Sequence, residues 1–239
     1  MNRRRFALSV ACVGLMSLGP LQTRGDAQAQ GQQLPVQIPQ PGVPQIMTME
    51  AKFVRAAYNN EAYVILGYQA SNRSVGEEWM LLEFGTTVMD KTPDFTMTRD
   101  AFSLETPDGK TLPMAPITEQ RAGKVQAIQQ RAKVQRDSIN YFPAKASRAC
   151  AILFYPDLGA RALPYDFVEM TNDRACLGRF YFKIPGGIAY GQHWLNVKFA
   201  KSEVRVPFRI LTKEEEKTLN KNYKSIKQQV DDAFKKKDK

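Results

Sequence analysis

From Ile46 to Leu211 the chain is a succession of short runs in which aromatic, aliphatic and β-branched residues alternate with polar ones, broken by turn-forming clusters. Runs 51–58 (AKFVRAAY), 62–71 (AYVILGYQAS), 78–88 (EWMLLEFGTTV) and 100–106 (DAFSLET) predict strands. Asn59-Asn60 and Ser74-Val75-Gly76 mark turns between them. In TPDGKTLPM (106–114), Asp108-Gly109 predicts a hairpin, because the tight turn requires positive φ. A second group follows at 150–155, 178–184, 193–199 and 203–211. The total of about eight or nine strands is the number a two-sheet sandwich uses.

Two stretches change period. Over 117–139, Ile117, Val125, Ile128, Ala132 and Ile139 recur at near-helical spacing and predict an amphipathic helical insert, weakened at Gly123. After Leu211, Thr212 and Glu215 form a capping box, acids fill the first turn and lysines the last. Leu219, Tyr223, Ile226, Val230 and Phe234 then recur at intervals of four, three, four and four, predicting a long basic helix over 212–239. This stripe can pack on its own domain or be offered to a partner, and the helix is expected to serve as a contact element.

The first residues read as a targeting segment. Arg3, Arg4 and Arg5 precede an uncharged apolar run to Gly19, and Ala27-Gln28-Ala29 supplies small residues for cleavage, so 1–29 is expected to be an export signal. The RRRF start fits either the twin-arginine or the general secretion route. Residues 30–46, rich in Gln and Pro, read as an extended linker, leaving 47–211 as the β domain. No later stretch approaches the roughly 18 to 20 apolar residues of a membrane span. The expected location is periplasmic or extracellular.

That compartment changes the reading of the cysteines. With Cys12 inside the signal, Cys150 and Cys176 remain, and an even pair in an exported chain is expected to form a disulfide. Closing the intervening loop stabilises the fold by roughly 3.5 kcal/mol in the chain-entropy model. The formal charge is +10, and loss of four arginines and one aspartate with the signal leaves about +7. Such a charge favours an envelope protein or an anionic envelope surface as partner. No zinc-finger spacing or RNP-like motif points to nucleic acid.

Candidate chemistry is sparse. His193 is the sole histidine, so a histidine-based triad or a multi-histidine metal site has no partners to draw on, and no metal or cofactor is expected. As a strand, 193–199 places His193 with Leu195, Val197 and Phe199, while Trp194 points the other way. His193 and Trp194 are nevertheless a candidate ligand rim at one end of the sandwich, and Trp79 with Trp194 a candidate sugar platform. A hydrolase would need carboxylates such as Glu77, Glu83, Asp90, Asp157, Asp166, Glu169 and Asp173 to converge. Met47, Met49, Met80, Met89, Met97 and Met114 read as core filling before a copper site.

EEWMLLEFGTTV followed by DAFSLETPDGKTLPM resembles the telokin-like immunoglobulin-fold domains of bacterial exported proteins. In that pattern a Trp-led apolar strand leads into a hairpin matched here by Phe102, Leu104, Asp108, Gly109 and Lys110, within Tyr63–Met114. The resemblance implies an immunoglobulin-like fold and carries over no catalytic residue. The expectation is therefore a mainly β, immunoglobulin-like β-sandwich with a helical insert and a long C-terminal helix. It would act as a non-enzymatic binding protein of the cell envelope through its basic helix, or as a small-ligand or carbohydrate module near His193 and Trp194.

Overall fold

The computed structural model describes residues 44–135, 138–156 and 163–235. The expected signal 1–29 and most of the expected linker lie outside them. Strands β1 (Ile46–Ala51), β2 (Val54–Tyr58), β3 (Ala62–Gly67), β4 (Trp79–Val88), β5 (Phe95–Thr98), β6 (Phe102–Glu105) and β7 (Thr111–Pro113) come first. Helices α1 (Gln69–Asn72), α2 (Ile117–Ala122) and α3 (Gln126–Val134) interrupt or follow them. Then come β8 (Arg148–Ile152), β9 (Phe167–Met170), β10 (Arg174–Lys183), β11 (Gly191–Lys198), β12 (Glu203–Ile210) and α4 (Lys213–Lys235).

The protein is mainly β. A six-stranded sheet runs β1-β2-β3-β4-β10-β8, a four-stranded sheet β12-β11-β6-β7, and β5 pairs with β9. Both larger sheets contribute to one core: Phe180 of β10 lies 4.5 Å from Phe84 of β4 and 4.6 Å from Phe102 of β6, ring centre to ring centre. Leu66, Leu82, Leu104, Leu195 and Val206 extend the same buried cluster. Central β4 is buried at every position, because its second face is covered too. There a Cβ on Gly85 would come within 2.7 Å of the Phe142 ring.

Several boundaries depart from the periodicity. The run 51–58 holds the last residue of β1, a turn at Lys52-Phe53 and β2; Arg55 Nη1 donates to the carbonyls of Ala51, Lys52 and Val54 across that turn. Strand β1 starts at Ile46, so the expected linker gives its last residue to the domain. The run 62–71 ends at Gly67 and passes into α1, whose Ser71 hydroxyl both donates to and accepts from the backbone of Leu81. The predicted runs missed β5 and β9, each only four residues long, and all of β1 but Ala51.

The expected single helix over 117–139 is replaced by two short ones. At Gly123 the chain turns extended against Trp79, where a Cβ would fall 2.6 Å from the indole. Val125, Ile128 and Ala132 are buried in the main core. Ile139, beyond the helix, packs instead with Phe142 on the small cluster of Val54, Ala56 and Ile65. The hairpin at 106–110 does form, with Gly109 at φ 79° and β6 paired to β7.

Cys150 and Cys176 form the expected disulfide. They are direct register partners in the parallel pair of β8 and β10, so the bond fastens the exposed edge strand to its neighbour.

Candidate functional site: the seam beneath the C-terminal helix

His193 is fully buried, on the face that strand alternation assigns it. Its ring stacks on Phe208 at 5.3 Å, and Nδ1 lies 3.1 Å from the Gly191 carbonyl, an acceptor, which makes Nδ1 the protonated nitrogen. Burial pushes its pKa down, partly offset by the Gly191 carbonyl and the Asp108 charge, so the ring is held neutral. Nε2 has no hydrogen-bond partner among the described residues.

Trp194 lies on the opposite face. Its ring receives the Arg205 guanidinium at 5.0 Å, and Arg205 also donates to Asn196 at 2.8 Å and Glu105 at 2.6 Å. His193 and Trp194 therefore do not form one ligand rim, because the β pleat separates them. Trp79 is buried against Gly123, which removes it from any platform shared with Trp194.

The described ones among these carboxylates are each paired with a separate cation. Glu77 pairs with Arg131 at 2.8 Å, Glu83 with Arg179 at 3.7 Å and Asp90 with Lys145 at 2.8 Å. Asp173 pairs with Arg148 at 2.9 Å, Glu169 with Arg174 at 3.6 Å and Asp166 with Arg99. Asp157 lies outside the described residues. Among the described residues no group of three or more His, Cys, Asp or Glu could hold a metal ion. Met47, Met49, Met80, Met97 and Met114 are buried, and Met47, Met80, Met97 and Met114 belong to the main hydrophobic core.

The residues that do come together are those of α4 and two sheet edges. The capping box closes in both directions: Thr212 N–H donates to Glu215 at 2.9 Å, and Glu215 N–H donates to the Thr212 hydroxyl at 3.2 Å. From that fixed start α4 runs along β1, an edge strand whose outward backbone groups would otherwise lack partners. Tyr223 Oη donates to the Glu50 carbonyl at 3.2 Å, Lys227 Nζ donates to the Met49 carbonyl, and Met49 N–H reaches Asp231 at 3.4 Å. Leu219 and Phe234 are buried, and Val230 packs against the main core. The stripe Leu219, Tyr223, Ile226, Val230 and Phe234 thus faces its own domain. Of the two readings the sequence left open for this stripe, the structure has it packed on its own domain.

The other edge is β12. Its Arg205 N–H donates to Gln45 Oε1 at 2.8 Å, and the Arg205 carbonyl accepts from Gln45 Nε2, so one glutamine amide stands in for a strand pair. Two residues on, Pro207 has no N–H to continue a ladder. Beyond that point the edges stay apart and α4 spans the gap.

The gap is a cavity of about 930 Å³, at the upper end of ordinary small-molecule sites. Met47, Met49 and Ala56 line it from β1 and β2, Pro207 and Phe208 from β12, and Leu219, Ile226 and Val230 from α4. Along the helix it runs from Glu214 to Val230, about 24 Å at the α-helical rise.

One end is polar, where Gln192, Arg209, Glu214, Glu215 and Thr218 line it. Arg209 is bound to Glu215 through Nε at 2.9 Å and Nη2 at 2.7 Å. Partial burial pushes the Glu215 carboxyl up, but the Thr212 N–H and the Arg209 guanidinium more than offset this and hold it below its ordinary value. Sequence reasoning missed this seam. The local signs available to it were Pro207 inside a strand pattern and the Met47/Met49 alternation.

Among the described residues no helix is long and apolar enough to cross a membrane. No family model, curated protein or solved structure matches the chain.

Proposed function

We propose that this protein is an exported, non-enzymatic binding protein of the cell envelope, built on an immunoglobulin-like sandwich of the telokin-like kind. It holds a small apolar molecule in the seam between β1 and β12. The observation that carries this reading is the cavity of about 930 Å³ walled by Met47, Met49, Phe208, Leu219, Ile226 and Val230. A hydrocarbon ligand laid against these apolar walls would remove their surface and its own from water. The Cys150–Cys176 bond supports export, since disulfides persist in oxidising compartments.

The test is titration of the purified chain with N-phenyl-1-naphthylamine, whose fluorescence rises in apolar surroundings. The chain is expected to brighten the dye, and Ile226→Trp, which fills the seam from α4, to abolish the signal while circular dichroism stays unchanged. Equal brightening by both proteins, or none by the wild type, would sink the reading.

One observation favours a second role for α4. Lys213, Lys217, Lys221 and Lys224 are exposed at helical spacing on the side away from the seam. This row suits an anionic envelope surface, with a contact whose strength falls with salt. Cosedimentation with phosphatidylglycerol vesicles that persisted unchanged at high salt would count against it.

A further inference from the structure

We infer that the seam takes a single-chain lipid whose polar head carries an ammonium group, the chain running along α4 and the head resting at Glu214. This deepens the proposed binding role and rests on it. Three observations select the occupant.

The first is shape. The cavity follows α4 from Glu214 to Val230, about 24 Å, with β1 and β2 on one side and β12 on the other. One hydrocarbon chain of a bilayer leaflet is about 15 Å long, half the hydrocarbon core. A single chain with its head therefore fills the length, whereas a compact ring system would leave much of it empty.

The second is the gradient of polarity along that length. Toward Val230 the walls are Met47, Met49 and Ile226, with Thr48 and with Arg55, whose Nη1 is held by the Ala51, Lys52 and Val54 carbonyls; toward the start of α4 they are Gln192, Arg209, Glu214 and Thr218. A wholly apolar ligand would leave one end in contact with groups it cannot satisfy, and an amphiphile matches both ends.

The third is the sign of the charge. Arg209 at the polar end is already held by two bonds to Glu215. Glu214 is exposed and adds a second carboxylate beside that pair. The end presents one cation and two anions, which attracts an ammonium and disfavours a carboxylate head.

The experiment is displacement of bound N-phenyl-1-naphthylamine from the full chain by three competitors of equal chain length, each below its micelle concentration. These are lysophosphatidylethanolamine, the free fatty acid and the primary alcohol. The lysolipid is expected to displace at the lowest concentration and the fatty acid at the highest. In Glu214→Lys the fatty acid should gain about two- to five-fold relative to the lysolipid, the range for one exposed charge pair.

If the dye binds but the fatty acid competes best, or the order is the same in both proteins, the head assignment is overturned while the seam stands as an apolar site. If the dye does not bind the wild-type chain at all, the seam reading fails and this inference with it.

Discussion

The two ends of the six-stranded sheet are closed in opposite ways. At the β8 end, Cys150 is joined covalently to Cys176 of the neighbouring strand. Next to it Phe84, Phe102, Phe154 and Phe180 pack ring against ring at 4.5 to 6.0 Å. At the β1 end no strand among the described residues completes the edge. Side chains of α4 take its backbone groups one at a time, around a cavity. The first end is filled and fixed, and the second is bridged and hollow. The difference is why the proposed ligand is assigned to the α4 end, where apolar side chains are left to line a cavity instead of packing on one another.

Truncation sharpens the contrast most. Phe180→Ala removes a fully buried ring from the aromatic cluster and is expected to cost about 3–5 kcal/mol in urea unfolding. Ile226→Ala removes a half-buried side chain that already borders a void and should cost only about 1 kcal/mol. Equal losses would mean that the seam is packed as tightly as the core and would end the comparison.

The disulfide comes next. Replacing Cys150 and Cys176 together by alanine should lower unfolding free energy by about 3 kcal/mol, chiefly by releasing the unfolded chain. Because the bond sits at the β8 end, dye binding in the seam at a temperature where the variant stays folded should be unchanged. Loss of dye binding in a folded variant would show that the two ends are coupled.

Local chemistry in the sequence accounts for much of the architecture and little of the site. The apolar run of β4, the Asp108-Gly109 turn and the Thr212/Glu215 box each depend on residues within a few positions, and each forms. The break at Gly123 was visible only as a weakness, because its cause is the indole of Trp79 brought up from a distant strand. The apolar stripe of α4 was equally legible, but whether it faced its own domain depended on β1 being an edge, a property of sheet order. The seam is further removed still. It exists because β12, ending one sheet, and β1, ending the other, meet at Gln45 and then fail to pair, and no spacing within either segment encodes that gap.

The smallest expected effect concerns His193, which stands between the two regimes. It is packed like the core, against Phe208, yet Phe208 also walls the seam. Its folded pKa lies below the ordinary value of 6.5, first because of burial, with the Gly191 carbonyl and the Asp108 charge acting the other way. Unfolding therefore takes up a proton, and the histidine's contribution to stability is complete above about pH 6.5 and declines as pH falls toward the folded pKa. Thermal unfolding of the wild type should weaken between pH 7 and pH 5 by more than that of His193→Leu, which has no group to protonate there. If protonation also loosens Phe208, dye binding in the seam should weaken over the same interval in the wild type alone. A melting temperature with the same pH slope in both proteins would remove His193 from the balance and leave the carboxylates as the source of any acid sensitivity.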